Sequence, residues 1–175
     1  NYFPFAHESG FNFSKKKVLE FTRKICATES DKVFHNSTYD VGWLTHHGVP
    51  INGRIIDTMI VAPLIDENQF WFSLNALGRE YINEGKSEGE LSAAAEEWGL
   101  DPKADMWRLP SAYVGTYATQ DAALTLKLWN HFKILLEEQN LWNIFDLEMK
   151  VLPVVLAMKQ QGVRVDVQRA ESLKE

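Results

Sequence analysis

Lys32-Val-Phe-His35-Asn36-Ser-Thr-Tyr39-Asp40-Val-Gly-Trp-Leu44 joins a short apolar run to a helical pattern, and the fold class follows from that junction. Lys32 to His35 reads as a short strand. Asn36 or Ser37 is then suited to cap a helix through Val41, Trp43 and Leu44 that ends near His47-Gly48. Upstream, Ser14 can cap a helix to about Cys26, whose apolar stripe is Val18, Leu19, Phe21, Thr22 and Ile25. Before it, Tyr2-Phe-Pro-Phe-Ala6 reads as a strand closed by the polar turn His7-Glu-Ser-Gly10. Strand, helix, strand, helix is the alternation of an α/β layer fold.

Downstream, Ile55 to Val61 is apolar throughout, and its period does not separate a strand from the opening of a helix. Helical patterning resumes after Phe72, with Leu74, Leu77 and Tyr81 on one face. Lys86 to Gly99 is expected to be a loop and then a helix from Leu91 to Trp98, and Asp101 to Pro110 to be irregular. A long helix starts at Ser111 or Ala112 and carries Tyr117, Asp121, Leu124, Leu128 and Phe132. It breaks near Gln139-Asn140. Leu141 to Gln161 is amphipathic around Pro153, which must kink or start a helix, and Val167 to Glu175 reads as one more helix.

The bulk numbers bound the function. At 175 residues, 45% hydrophobic and 12% aromatic, the chain can bury one sizeable core. No apolar run approaches the roughly 20 residues that span a bilayer, so no membrane partner is expected. The single cysteine, Cys26, excludes an internal disulfide and fits a reducing compartment. A net charge of −6 argues against a broad electrostatic grip on duplex DNA. It leaves room for a small acidic site whose cations supply the positive charge. The chain has no initiator methionine and opens on an apolar run, so we expect a fragment whose true start lies upstream.

Two four-residue offsets carry the chemistry. Asn36 and Asp40, like Tyr117 and Asp121, sit one helical turn apart on one face. A carboxylate with a phenol one turn away can hold a divalent cation and aim a water beside it. Asp40 can hold a metal directly or through water, while Asn36 and Tyr39 can bond or stack on a nucleotide. A plainer reading of the first group also stands: Asn36 caps the helix, Asp40 favours its positive end, and Tyr39 packs in the core. For the second, the plain reading is a packed Tyr117 and a solvated Asp121, though the Ala122-Ala-Leu124 that follows argues for partial burial. Asp57 reads as a structural anchor. His35 is expected on the face opposite Asn36, and the six tryptophans read as core and seam packing.

Asn36-Ser-Thr-Tyr39-Asp40 and Tyr117-Ala-Thr-Gln-Asp121 resemble the second and third motifs of the tyrosine-type DEDD proofreading nucleases (DEDDy). The closest resemblance is to the 3′-5′ exonuclease domain of family A DNA polymerases, of the DNA polymerase I kind and of phage lineage. Connecting stretches agree, among them Ile56-Asp-Thr-Met59, Phe72 to Leu77 and Tyr113 to Leu126, as does a thumb-like tail from Leu147 to Asp166. The resemblance implies a ribonuclease-H-like mixed sheet flanked by helices, truncated at its N-terminus and helix-rich in its C-terminal half. It implies an exonuclease domain over residues 1–140 and the start of the polymerase domain over 141–175. Asp121 would bind the first metal, Mg or Mn, and Asp40 would support the second, chiefly through water. Tyr117 would orient the attacking water, and Asn36 and Tyr39 would contact the 3′-terminal nucleotides. The implied partners are a single-stranded DNA 3′ end and the rest of the polymerase, in the cytoplasm of a bacterium or phage-infected host.

One departure matters. The family's first motif, Asp-x-Glu, supplies two further carboxylates, and no such triplet precedes Asn36. The two-metal site is therefore expected to be incomplete and the 175-residue chain alone inactive. The different-class alternative is a catalytically silent scaffold or single-strand-binding module of a polymerase. A free-standing RNA-trimming nuclease of the ribonuclease D type shares the chemistry, but the thumb-like tail counts against it.

Overall fold

In the computed structural model, which describes residues 1–86 and 89–173, a helix-strand-helix-strand series precedes a helical array. The order is α1 (Lys15–Cys26), β1 (Lys32–Phe34), α2 (Ser37–His46), β2 (Ile55–Asp57), α3 (Thr58–Ile65), α4 (Leu74–Ile82) and α5 (Gly89–Glu97). A 3₁₀ turn at Met106–Arg108 leads into α6 (Ser111–Glu138), α7 (Trp142–Gln161) and α8 (Val167–Ser172). The molecule is a helix-rich α/β structure, 61% helical, with a sheet of two parallel strands. β1 and β2 pair with Val33 opposite Ile56, and α2 makes the crossover that parallel pairing requires.

The ambiguous apolar stretch after Arg54 is both things in turn. Ile55–Asp57 completes the sheet, and Asp57 then caps α3 by accepting the Met59 amide. The strand expected at Tyr2–Ala6 does not form. Among the described residues that segment finds no strand partner; its Pro4 carbonyl accepts the Phe13 amide, and it is the turn just after it that bonds to the approach to α6. The Glu8 amide donates to the Trp107 carbonyl, and the Ser111 hydroxyl donates to the carbonyl of Phe11. The loop expected from Lys86 runs through residues 87–88, which lie outside the described residues, as do 174–175 at the end of the last expected helix.

The 28-residue α6, about 42 Å long at 1.5 Å per residue, ties two hydrophobic clusters together. Its C-terminal part sends Leu124, Leu128, Phe132 and Leu136 into the main core with Ile56, Val61, Leu77, Phe145 and Met149. Phe132, Phe145, Leu128 and Ile56 are fully buried, each removal from water contributing about 1.5–3 kcal/mol. Its N-terminal part places Val114 in a smaller cluster with Leu91, Ala95 and Leu109, against which Tyr117 packs. Asp121 stands between the two. On α7, Phe145, Met149, Leu152 and Leu156 enter the main core, while Leu147, Val151, Val154, Val155 and Met158 are exposed.

Candidate active site

The first corner of the site is made where β1 ends. Asn36 adopts the left-handed conformation (φ 64°, ψ 54°) that asparagine tolerates better than most residues, and it turns the chain from β1 into α2. Asn36 occupies the N-cap position, yet its side chain makes no cap bond; its Oδ1 accepts from the Thr38 hydroxyl at 3.0 Å. The helix start is held instead by Asp57 at the end of β2. Its Oδ1 accepts the amides of Asn36 (2.9 Å) and Met59 (2.9 Å), and its Oδ2 accepts the amide and hydroxyl of Ser37 (both 2.7 Å). Asp57 is 2% exposed, so this carboxylate is an anchor spent on backbone donors.

α2 then presents Tyr39, Asp40 and Trp43 outward. Tyr39 and Trp43 are 62% and 54% exposed and meet edge to face at 6.4 Å, with the His47 ring stacked beyond Trp43. Neither aromatic packs in the core, because the inward positions of α2 are taken by Ser37 and Val41. Asp40 keeps access to solvent while its carboxyl lies along a cavity wall. Desolvation there, helped by the charge of Asp57, raises its pKa above the ordinary carboxylate value.

The second corner is built on α6. Tyr117 and Asp121 are one turn apart, and a residue not singled out from the sequence joins them. Lys86 Nζ donates to Asp121 Oδ2 at 2.5 Å and to Tyr117 Oη at 3.0 Å, and it sits 5.0 Å from the centre of the Tyr117 ring. Burial works against the ammonium's charge, but its bonds to Asp121 and Tyr117 prevail and its pKa is raised. Burial raises the Tyr117 pKa more than Lys86 lowers it, so the phenol keeps its proton near neutral pH. Asp121 Oδ1 is buried and has no hydrogen-bond partner among the described residues.

Both corners open into one cavity of about 1330 Å³, whose lining includes Asn36, Tyr39, Asp40, Lys86, Tyr117 and Asp121. His35 and Trp43 line it as well. The His35 ring is half-buried, with Nδ1 2.9 Å from the Thr58 hydroxyl. Burial lowers its pKa, against the nearby Asp57 carboxylate, so the ring is neutral at pH 7. Strand alternation misplaced His35, because the left-handed turn at Asn36 takes the chain out of extended geometry.

A family model described as a 3′-5′ exonuclease matches residues 8–137, well over half of the chain. The chain belongs to the 3′-5′ exonuclease domain family of family A DNA polymerases. It is 35% identical over 175 residues to a DNA-directed DNA polymerase of Pseudomonas phage M6, covering 98% of this chain and 26% of that protein. It is 31% identical over 156 residues to DNA polymerase DpoZ of Vibrio phage phiVC8, covering 79% of this chain and 25% of the relative. Against DNA polymerase I of Synechocystis it is 24% identical over 175 residues, covering 98% of this chain and 17% of the relative. The chain thus spans about a quarter of the length of its phage relatives.

Exonuclease domains of this family generally use divalent metals. The residues at the second corner fit one such ion. Asp121 offers a buried oxygen with no donor of its own, and carboxylate oxygens are the hard donors that Mg²⁺ or Mn²⁺ takes. Among the described residues no group of three or more His, Cys, Asp or Glu side chains is arranged around a common point. The donor set therefore fits a partial site, not a closed cage. No helix of the described residues is long and apolar enough to cross a membrane.

Proposed function

We propose that this chain is the proofreading 3′-5′ exonuclease part of a DNA polymerase, of the DEDDy type and ribonuclease-H-like in fold, acting on the 3′ end of single-stranded DNA. The observation that carries the reading is the convergence of Asn36, Tyr39, Asp40, Tyr117 and Asp121, from two distant segments, on one cavity. Residues 1–140 are the exonuclease unit. Residues 141–175 begin the polymerase domain, with α7 as the seam: one face enters the core and the other offers exposed apolar side chains.

Asp121 would hold the first divalent ion, Mg²⁺ or Mn²⁺, and Asp40 would support the second, chiefly through water. Such ions, when bound, supply Lewis-acid stabilisation of the phosphate and lower the pKa of water. The rest falls to the chain's own side chains. Tyr117 orients the attacking water through its hydroxyl. Asn36 and Tyr39 take the terminal nucleotides, and the exposed Tyr39–Trp43 pair gives unstacked bases an aromatic face, a contact worth about 1–3 kcal/mol per base. Hydrolysis of the terminal phosphodiester would release nucleoside monophosphates. The setting would be the cytoplasm of a bacterium or of a phage-infected host.

The test is release of nucleoside monophosphates from a 3′-labelled single strand by the polymerase carrying this domain. Asp121→Ala is expected to lower the rate by about a hundredfold or more while leaving polymerisation intact. The 175-residue chain alone is expected to be inactive, and robust Mg²⁺-dependent trimming by it would contradict that. A second reading, a catalytically silent scaffold or single-strand-binding module, is favoured by Lys86, whose ammonium already occupies the Asp121 carboxylate at 2.5 Å. Equal trimming rates in the polymerase and its Asp121→Ala variant would decide for it.

A further inference from the structure

Lys86 lines the cavity, and no motif of the sequence accounts for its position there. Its backbone is fixed from several sides. The Lys86 amide donates to Asn75 Oδ1 at 2.9 Å, and the Glu84 amide donates to the Gly78 carbonyl at 3.0 Å. The Glu84 carboxylate receives Lys127 Nζ from α6 at 2.8 and 2.7 Å. The loop can lie this close to α4 only because residue 78 is glycine: a Cβ there would stand 2.5 Å from the Glu84 carbonyl oxygen. A fixed backbone carrying a four-carbon stem delivers a point charge to one place and still lets it swing away.

That charge is delivered to Asp121 Oδ2, whose other oxygen is buried and lacks a partner among the described residues. A salt bridge that served only stability would leave no buried acceptor empty, since such an atom carries the full desolvation penalty. One oxygen held by an ammonium and one without a partner among the described residues is the arrangement of a carboxylate between two ligands.

We propose that Lys86 is a resident cation of the cavity: it neutralises Asp121 when no divalent ion is present and must yield that carboxylate for one to be held. Lys86 thereby sets the cation affinity of the site and, once released, faces the cavity as a free positive charge for a phosphate. Metal and lysine compete for one carboxylate, so removing the ammonium strengthens metal binding. The inference rests on the reading of Asp121 as a metal ligand.

The experiment measures Mn²⁺ binding to the chain by the free-ion electron paramagnetic resonance signal, with the folded state of each variant checked by circular dichroism. Lys86→Met is expected to bind Mn²⁺ about fivefold to tenfold more tightly than the wild type, because one opposing charge is gone. Lys86→Arg keeps the charge and is expected to match the wild type. Asp121→Asn is expected to abolish the binding. Unchanged or weaker binding by Lys86→Met, with Asp121→Asn still losing the ion, overturns the role of Lys86 alone. Binding that is absent from the wild type, or insensitive to Asp121→Asn, overturns the metal-ligand reading and this inference with it. Should Lys86→Met not fold, Mg²⁺ titration of wild-type chain labelled at the lysine ε-carbon gives the same answer. The Lys86 resonance, assigned with Lys86→Arg, must shift on binding, and an unmoved signal overturns the proposal.

Discussion

Asp57, at the start of α3, and Asp121, on α6, are both carboxylates beside the site, yet they are held in opposite ways. Asp57 is 2% exposed, and each of its oxygens accepts two protein donors, three of the four from backbone amides. Asp121 has a side chain 23% exposed and, among the described residues, a single lysine on one oxygen and no partner on the other. Asp57 builds the site, and Asp121 serves it. Backbone donors are fixed by the fold and cannot be exchanged, whereas one flexible ammonium can. The Asn36–Asp40 corner is therefore rigid by construction, and the Tyr117–Asp121 corner is open to a ligand.

Breaking the first corner is expected to have the largest effect on stability. Asp57→Ala leaves the amides of Asn36 and Ser37 without acceptors and releases the left-handed turn, a loss of about 3–5 kcal/mol in urea denaturation. A loss below about 1 kcal/mol would mean that the turn holds itself. Asp121→Asn, at the second corner, is expected to cost only about 1 kcal/mol, because the pair it breaks is partly solvated and one oxygen was unsatisfied already. If it proved as costly as Asp57→Ala, the contrast between builder and server would fail.

Much of this was legible in the sequence. The first strand and the helix after it, β1 into α2, announce themselves through a short apolar run before a cap candidate, whereas the period of Ile55 to Val61 does not reveal the second strand. The long α6 does so through Leu124, Leu128 and Phe132 at helical spacing. Asp57 reads as an anchor because it follows the apolar Ile55-Ile56. What stayed hidden is non-local. Lys86 meets Asp121 across 35 residues of sequence, through a loop whose course depends on Gly78 and Asn75, and no local pattern encodes such a meeting. Tyr2–Ala6 has strand composition, but a strand needs an edge to pair with, and composition does not say whether one is there. Trp43 looks like a core residue by type and is exposed because Ser37 and Val41 already take the buried face of α2.

A smaller effect separates the corners by pH. His35, beside the rigid corner, is held neutral, its pKa lowered by burial below the ordinary histidine value. The unfolded chain then binds the extra proton first, so this group's contribution to stability is full above about pH 6.5 and falls as the pH drops toward the folded-state pKa. His35→Gln is expected to flatten the acid limb of a stability profile between about pH 5 and 6.5 by a few tenths of a kcal/mol to about 1 kcal/mol. A profile that stays parallel to wild type would place the acid sensitivity elsewhere.

The most direct test of the shared site is paramagnetic broadening of backbone amide signals by substoichiometric Mn²⁺ in the chain. One ion held in a common cavity is expected to broaden the Asn36–Asp40 and Tyr117–Asp121 amides together, and Asp121→Asn to abolish both effects. Broadening confined to one of the two segments, or spread over surface carboxylates and indifferent to Asp121→Asn, would contradict a single metal-binding site formed by both.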